Sequence, residues 1–184
     1  MSRPTHFLRH EHRVIEKALR ALEGMCLKLR GGEDIPQDAL TQLLDFIWSY
    51  ADQHHHSREE ETLFPVLEKK LLPSSNNSLG FIKHEHEVER RLVLRLGEEA
   101  EAFGNGVTEA RQRLIETASA YRDHLIRHMQ HEDSILFRLV EEMLDEETKD
   151  ELCHALSQPH EELGMAGVEH YENLADELER VWAV

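Results

Sequence analysis

Apolar residues return at intervals of three and four along almost the whole chain, the spacing that lines one face of an α-helix, and short polar or glycine-containing breaks separate the runs. The first run, Leu8, Ile15, Leu19, Leu22 and Leu29, follows Pro4, a residue suited to an opening helical turn, and stops at Gly31-Gly32. A second starts at Pro36 and carries Leu40, Leu43, Leu44, Ile47 and Tyr50 through a histidine-rich stretch to Leu63, Leu67 and Leu71, with a local kink expected at Pro65. The stretch PSSNNS, residues 73–78, reads as a loop whose residues bond their own backbone or cap a following helix. A third helix then reaches about Phe103, ahead of Gly104-Asn105-Gly106. A fourth spans Thr108 to about Leu144 through Leu114, Ile115, Ala118, Leu125, Leu136 and Leu139. Four long helices with short connections predict an all-α, up-down-up-down four-helix bundle over residues 1–146. Residues 147–184 form an extra C-terminal helical segment, a short piece to Ser157 and then a last helix from Pro159 to Trp182, weakened by Gly164 and Gly167. This segment is expected to pack on the bundle or to make a subunit contact, such as that of a homodimer.

The bundle sequence repeats itself. HEHRVIEKAL, residues 10–19, answers HEHEVERRLV, residues 84–93, at an offset of 74; HHSREEETLF, 55–64, answers HMQHEDSILF, 128–137, at an offset of 73. The second pair reduces to H-x-x-x-E-x-x-x-L-F. Each helical hairpin therefore carries one histidine on its first helix and one His-Glu pair on its second.

Composition narrows the chemistry. A chain of 184 residues is long enough for a hydrophobic core without disulfides. Only 6% of it is aromatic, which favours helices over sheet. The 37 acidic against 21 basic residues, a net charge of -16, disfavour nucleic acid and anionic membrane surfaces as partners. Cys26 and Cys153 lie far apart with no C-x-x-C spacing, so they are expected to be buried, reduced thiols. The N-terminus has no signal-peptide pattern, and no run approaches the roughly 18 to 20 apolar residues of a membrane helix, so a cytoplasmic protein is expected. The fourteen histidines are the one departure from an ordinary soluble composition.

Residues four apart share a helical face, so His55 with Glu59, and His128 with Glu132, can each present an imidazole and a carboxylate to one point. His12 and His86 come from the other two helices, and a bundle can bring all six side chains to one level of its interior. Four imidazoles and two carboxylates suit iron, with zinc, manganese and copper as alternatives; the lack of thiolate argues against a structural zinc site. Six ligands are too many for one open ion. They suit two ions, each held by two histidines and bridged by carboxylates, with an oxo or hydroxo group or another anion favoured as a further bridge between the two cations. Around them Glu11, Glu85, Glu60 and Glu61 are candidate partners for the distal ring nitrogens. His10, His54, His56, His84 and His131 are read as lying outside the ligand set. The spacing of His56 to Glu60 equals that of His55 to Glu59, but the aligned Leu-Phe pairs place Glu59 opposite Glu132. Tyr50 and Tyr121 are read as core residues.

Carried by His12 in HEHRVIE, His55 and Glu59 in HHSREEETLFP, His86 in HEHEVERR, and His128 and Glu132 in HMQHEDSILF, the chain resembles the hemerythrin-like, or HHE cation-binding, family. The resemblance implies a four-helix protein with two non-haem irons that binds a small diatomic molecule or peroxide. Oxygen-carrying members have a fifth histidine one turn before the single histidine of the third helix; here that position is Ile82, with His124 as a conceivable substitute. The loss implies an open position on the second iron, and moves the expectation from reversible oxygen transport toward reaction with oxygen, peroxide or nitric oxide. Iron sensing or iron-sulfur repair, as in some relatives, is the alternative, and a metal-free helical interaction module is a second.

Overall fold

The computed structural model describes residues 3–70, 76–161 and 163–184, apart from the side chains of 76–78. Among them there is no strand. The first rod is α1 (Thr5–Arg30), opened by Pro4. The second is one continuous helical path through α2 (Gln37–Phe46), two π-helical stretches (Ile47–His56 and Glu59–Leu63) and α3 (Phe64–Lys70), and it passes through Pro65. The third is α4 (Asn76–Gly104). The fourth is α5 (Ala110–His131), a π-helical stretch (Glu132–Leu136) and α6 (Phe137–Met143). The tail gives α7 (Glu146–Leu156) and α8 (Gly164–Trp182).

Two boundaries differ from the sequence reading. The α4 backbone is already helical at 76–78, the second half of the expected loop, because Asn and Ser open helices as readily as they make turns. Residues 73–75, and Leu71 in the second run, lie outside the described residues. The final helix starts at Gly164, not Pro159; Gly164 has φ +64, which an L side chain rarely adopts, so this glycine turns the chain into the helix.

The repeat is visible in the backbone. Each hairpin turns at a glycine of positive φ, Gly32 at +84 and Gly106 at +74, and both follow the same helix-ending bond, Glu33 N–H to Lys28 O at 3.0 Å and Val107 N–H to Ala102 O at 3.1 Å. These two glycines are themselves 74 residues apart.

The interior has two apolar regions. The larger joins Ile15, Leu19, Leu22, Leu43, Phe46 and Leu96 to Leu114, Ala118 and Leu125; the smaller joins Leu8, Phe64, Ile82, Phe137 and Val140. Between them lies a layer of buried histidines and acids. The tail contributes to both regions, with Leu152 and Leu156 of α7 in the smaller and Leu174, Ala175 and Leu178 of α8 in the larger. Helix α8 runs alongside α1 in the same direction, since Lys17 pairs with Asp176, Arg20 with Glu179 at 2.6 Å, and Gly24 lies under the Trp182 carbonyl. Cys26 is buried and Cys153 only half so. No described helix is long and apolar enough to cross a membrane.

Candidate metal centre

The buried polar layer is built from one contribution per rod. α1 supplies His12, the second rod His55 and Glu59, α4 His86, and the fourth rod His128 and Glu132; these side chains are between 0% and 2% exposed. Both glutamates open a π-helical stretch. That wider turn, with its i to i+5 bonds, swings the carboxylate inward beside the histidine one turn earlier.

The six form two overlapping groups. His12, His55, Glu59 and Glu132 offer ligand atoms that all lie within 4.8 Å of one another, and Glu59, His86, His128 and Glu132 do the same. Both groups contain Glu59 and Glu132, so each carboxylate stands between two pairs of imidazoles. Within each pair the Nε2 atoms face each other at 3.1 Å, His12 against His55 and His86 against His128. Two ligands at right angles, each roughly 2.1 Å from one cation, would stand about 3 Å apart. The Nε2 of His12 is 3.2 Å from Glu132 Oε2, that of His128 is 3.2 Å from Oε1, and that of His86 is 3.4 Å from Glu59 Oε2.

Charge balance is the test of fit. All four oxygens of Glu59 and Glu132 are buried without a hydrogen bond of acceptable geometry, a costly state for carboxylates unless a cation fills the space between them and the imidazoles. The same demand for positive charge appears in the basicity of the rings. Burial pulls His12 down, but Asp133, Glu132 and Glu59 outweigh it and lift the ring to about 9. His86 and His128 are likewise raised against their burial by neighbouring carboxylates. Glu132 is held well below the usual carboxylate range; burial opposes this, and His128, His12 and His86 win. Burial dominates at His55 and lowers it to about 3.

Each of the four rings is oriented by an acid on its distal nitrogen, which frees Nε2 for the interior. His55 Nδ1 lies 2.8 Å from Glu11, His128 Nδ1 3.2 Å from Glu85, His86 Nδ1 2.7 Å from Glu60, and His12 Nδ1 3.3 Å from Asp133. This explains the Glu-His dipeptides: the glutamate serves the histidine of the next rod while its neighbour faces the centre. The acid after each shared glutamate crosses to the other hairpin, Glu60 to His86 and Asp133 to His12. Phe137 stacks on His12 at 5.3 Å and Phe64 on His86 at 5.7 Å, with Arg9 over the Phe137 ring and Lys83 over the Phe64 ring.

Of the acids expected around the rings, Glu11, Glu85 and Glu60 take that place; Glu61 instead lies 3.5 Å from His160 of the tail. Asp133 was missed, although the alignment of Glu60 with Asp133 carried the signal. Also missed were Arg58, Asp52, Glu89 and Arg90. Arg58 is 7% exposed, pairs with Glu11 and donates to the Leu156 carbonyl of α7, so the tail is tied to the acid behind His55. His54 also reaches Glu11, at 3.2 Å. A cavity of about 200 Å³ runs beside this network, between the bundle and the tail, with His10, Tyr50, His54, Arg58 and Glu172 in its wall. His10 and Tyr50 both point to Glu172. Tyr121 is a buried core residue, and Ile82 is buried in the smaller apolar region. His84 and His131 lie at the surface, beside Glu87 and Glu85.

A helical bundle whose interior converges imidazoles and shared carboxylates defines a cation-binding protein. Residues 3–96, just over half the chain, match the hemerythrin HHE cation binding domain. The chain belongs to that family. The match takes in His12, His55, Glu59 and His86, and the fold adds His128 and Glu132 from beyond it. No curated protein and no solved structure matches the chain.

Proposed function

We propose that the protein is a non-haem di-iron protein that binds or reacts with a small oxidant such as oxygen, peroxide or nitric oxide. The observation that carries this reading is the sharing of Glu59 and Glu132 by two imidazole pairs, a donor set that suits two adjacent cations and is too large for one ion with an open position. His12 and His55 would hold one ion, His86 and His128 the other, with both glutamates bridging and an oxo or hydroxo group completing the charge balance. Iron in this setting supplies one-electron steps and affinity for oxygen ligands. The chain's own part is to hold each ring's proton on Nδ1 through the four distal acids, which leaves Nε2 bare, and to exclude water with Leu, Ile and Phe. Burial of all six donors favours tightly held iron over the labile iron that a sensing or repair role needs.

The test is elemental and optical. Protein expressed with iron supplied should carry about two irons per chain, and the reduced form should develop oxo-bridged ferric absorption on exposure to oxygen or peroxide. His55→Ala and His128→Ala should each sharply lower the iron content. Iron-free protein, or a spectrum indifferent to every oxidant, would remove the proposal; iron passed readily to an apo acceptor would favour iron handling.

A further inference from the structure

Among the acids behind the rings, Glu11 meets three donors. Its Oε2 accepts from His55 Nδ1 at 2.8 Å, while its Oε1 faces both the Arg58 guanidinium and His54 Nε2, the latter at 3.2 Å. Arg58 and His54 are each anchored in turn by the backbone of the connection between α7 and α8. Arg58 donates to the Leu156 carbonyl in the last turn of α7, where a helix has free acceptors and the negative end of its dipole. The His160 N–H donates to His54 Nδ1 at 3.4 Å, which places the His54 proton on Nε2, the nitrogen that faces Glu11. A chain of donors and acceptors thus runs from two backbone groups of the tail, through two buried side chains of the second rod, to the acid that orients His55.

The second hairpin orients its ring differently. At the repeat offsets Glu11 corresponds to Glu85, His54 to Arg127 and Arg58 to His131. Arg127 is exposed, and His131, with its side chain 42% exposed, stands 3.8 Å from Glu85. Glu85 still faces His128 at 3.2 Å. Among the described residues the tail's backbone bonds go to the neighbours of Glu11 alone of these two acids. Orienting a ring therefore does not require the tail, and its grip on Arg58 and His54 needs a separate reason.

We propose that Arg58 is a positioning residue that couples the seating of the tail to the filling of the donor group around His55. This rests on the reading of His55 as a metal ligand given above. A cation on Nε2 draws electron density from the ring and makes its Nδ1–H a stronger donor, so Glu11 is held more firmly in the orientation that turns Oε1 toward Arg58 and His54. A fixed Glu11 in turn fixes the guanidinium, whose planar fork reaches the carboxylate and the Leu156 carbonyl at once. The linkage is reciprocal: a seated tail favours the cation by the same factor as the cation favours the seated tail. The α7–α8 connection, partly exposed, is where the state of the buried layer becomes legible at the surface.

Amide hydrogen exchange of the full-length protein, metal-free and loaded with zinc(II), tests this, with the zinc bound per chain counted on the same samples. An outer partner of a metal ligand commonly changes affinity roughly 10- to 100-fold, so by linkage zinc should slow exchange over residues 153–161 about tenfold or more beyond any slowing over residues 110–117 at the far end of the bundle. Arg58→Lys keeps the charge without the fork, and should still bind zinc while losing that excess. Zinc binding with no excess at 153–161, or with the same excess in Arg58→Lys, would overturn the inference and leave the two-metal reading standing. Failure to bind zinc would overturn both. Where the variant does not fold, exchange of the Arg58 guanidinium protons in the unmodified protein, followed by NMR, must slow with zinc in the same way; exchange indifferent to zinc would overturn the part given to Arg58.

Discussion

At the scale of single residues, the acids that orient the rings matter as much as the donors. Glu11 is 3% exposed and faces His55, His54 and Arg58 at once. Glu11→Gln strands the buried guanidinium, and breaking such a pair costs about 3–5 kcal/mol, to be read by denaturant unfolding of the metal-free protein. Adding Arg58→Met should recover much of that loss. Asp133→Asn is milder, with metal affinity expected to fall roughly 10- to 100-fold in a chelator competition. Unchanged affinity would show that Asp133 does not orient His12. Cys26 is pushed up to about 11 by burial, so alkylation at pH 8 should leave it unmodified until denaturant is added.

Among the elements, α8 depends on one close approach. A Cβ at Gly24 would stand 1.7 Å from the Trp182 carbonyl oxygen, so Gly24→Ala must push the end of α8 off α1. Faster amide exchange across α8, with α5 unaffected, is the expected result; uniform protection would contradict it. Helix α7 is capped by Asp145, whose side chain accepts from the Thr148 N–H at 2.8 Å, and the Thr148 side chain and N–H together hold the carboxyl down to about 2 against an ordinary 3.8. A depressed acid stabilises above its unfolded pKa and loses that contribution as pH falls through the folded one. Fraying of α7 should therefore develop between about pH 4 and pH 2, seen by amide exchange, and Asp145→Asn should flatten the response. Helix order and most boundaries were legible because Gly31-Gly32, Pro36 and Gly104 punctuate the apolar periodicity. The π-helical stretches at Glu59 and Glu132 were not, since the same H-x-x-x-E spacing fits an ordinary helix and only the buried donors require the wider turn.

For the whole molecule, a cation held between the buried imidazoles and carboxylates should add to stability. A metal bound only by the folded state adds about 4 kcal/mol at a thousandfold excess over its dissociation constant, so stripping it should lower the melting temperature measurably by calorimetry. No shift on chelation would mean that the layer is stable without an ion. Removing residues 164–184 takes Leu174, Ala175 and Leu178 from the larger apolar region and should destabilise the bundle itself, read as a lower denaturant midpoint. The six converging donors could be located from the sequence because the repeat marks each of them twice. The burial of His56 could not be read there, because its reason lies in Asp52, Arg90 and Glu89, which have no counterparts at the repeat offset.

The internal two-fold has a consequence for design. Each hairpin lends one carboxylate to the imidazole pair of the other, so neither half is sufficient, yet both halves carry the same kit of parts. A synthetic chain of about 74 residues that pairs with its own copy would contain all six converging side chains, and would be forced to present both imidazole pairs alike.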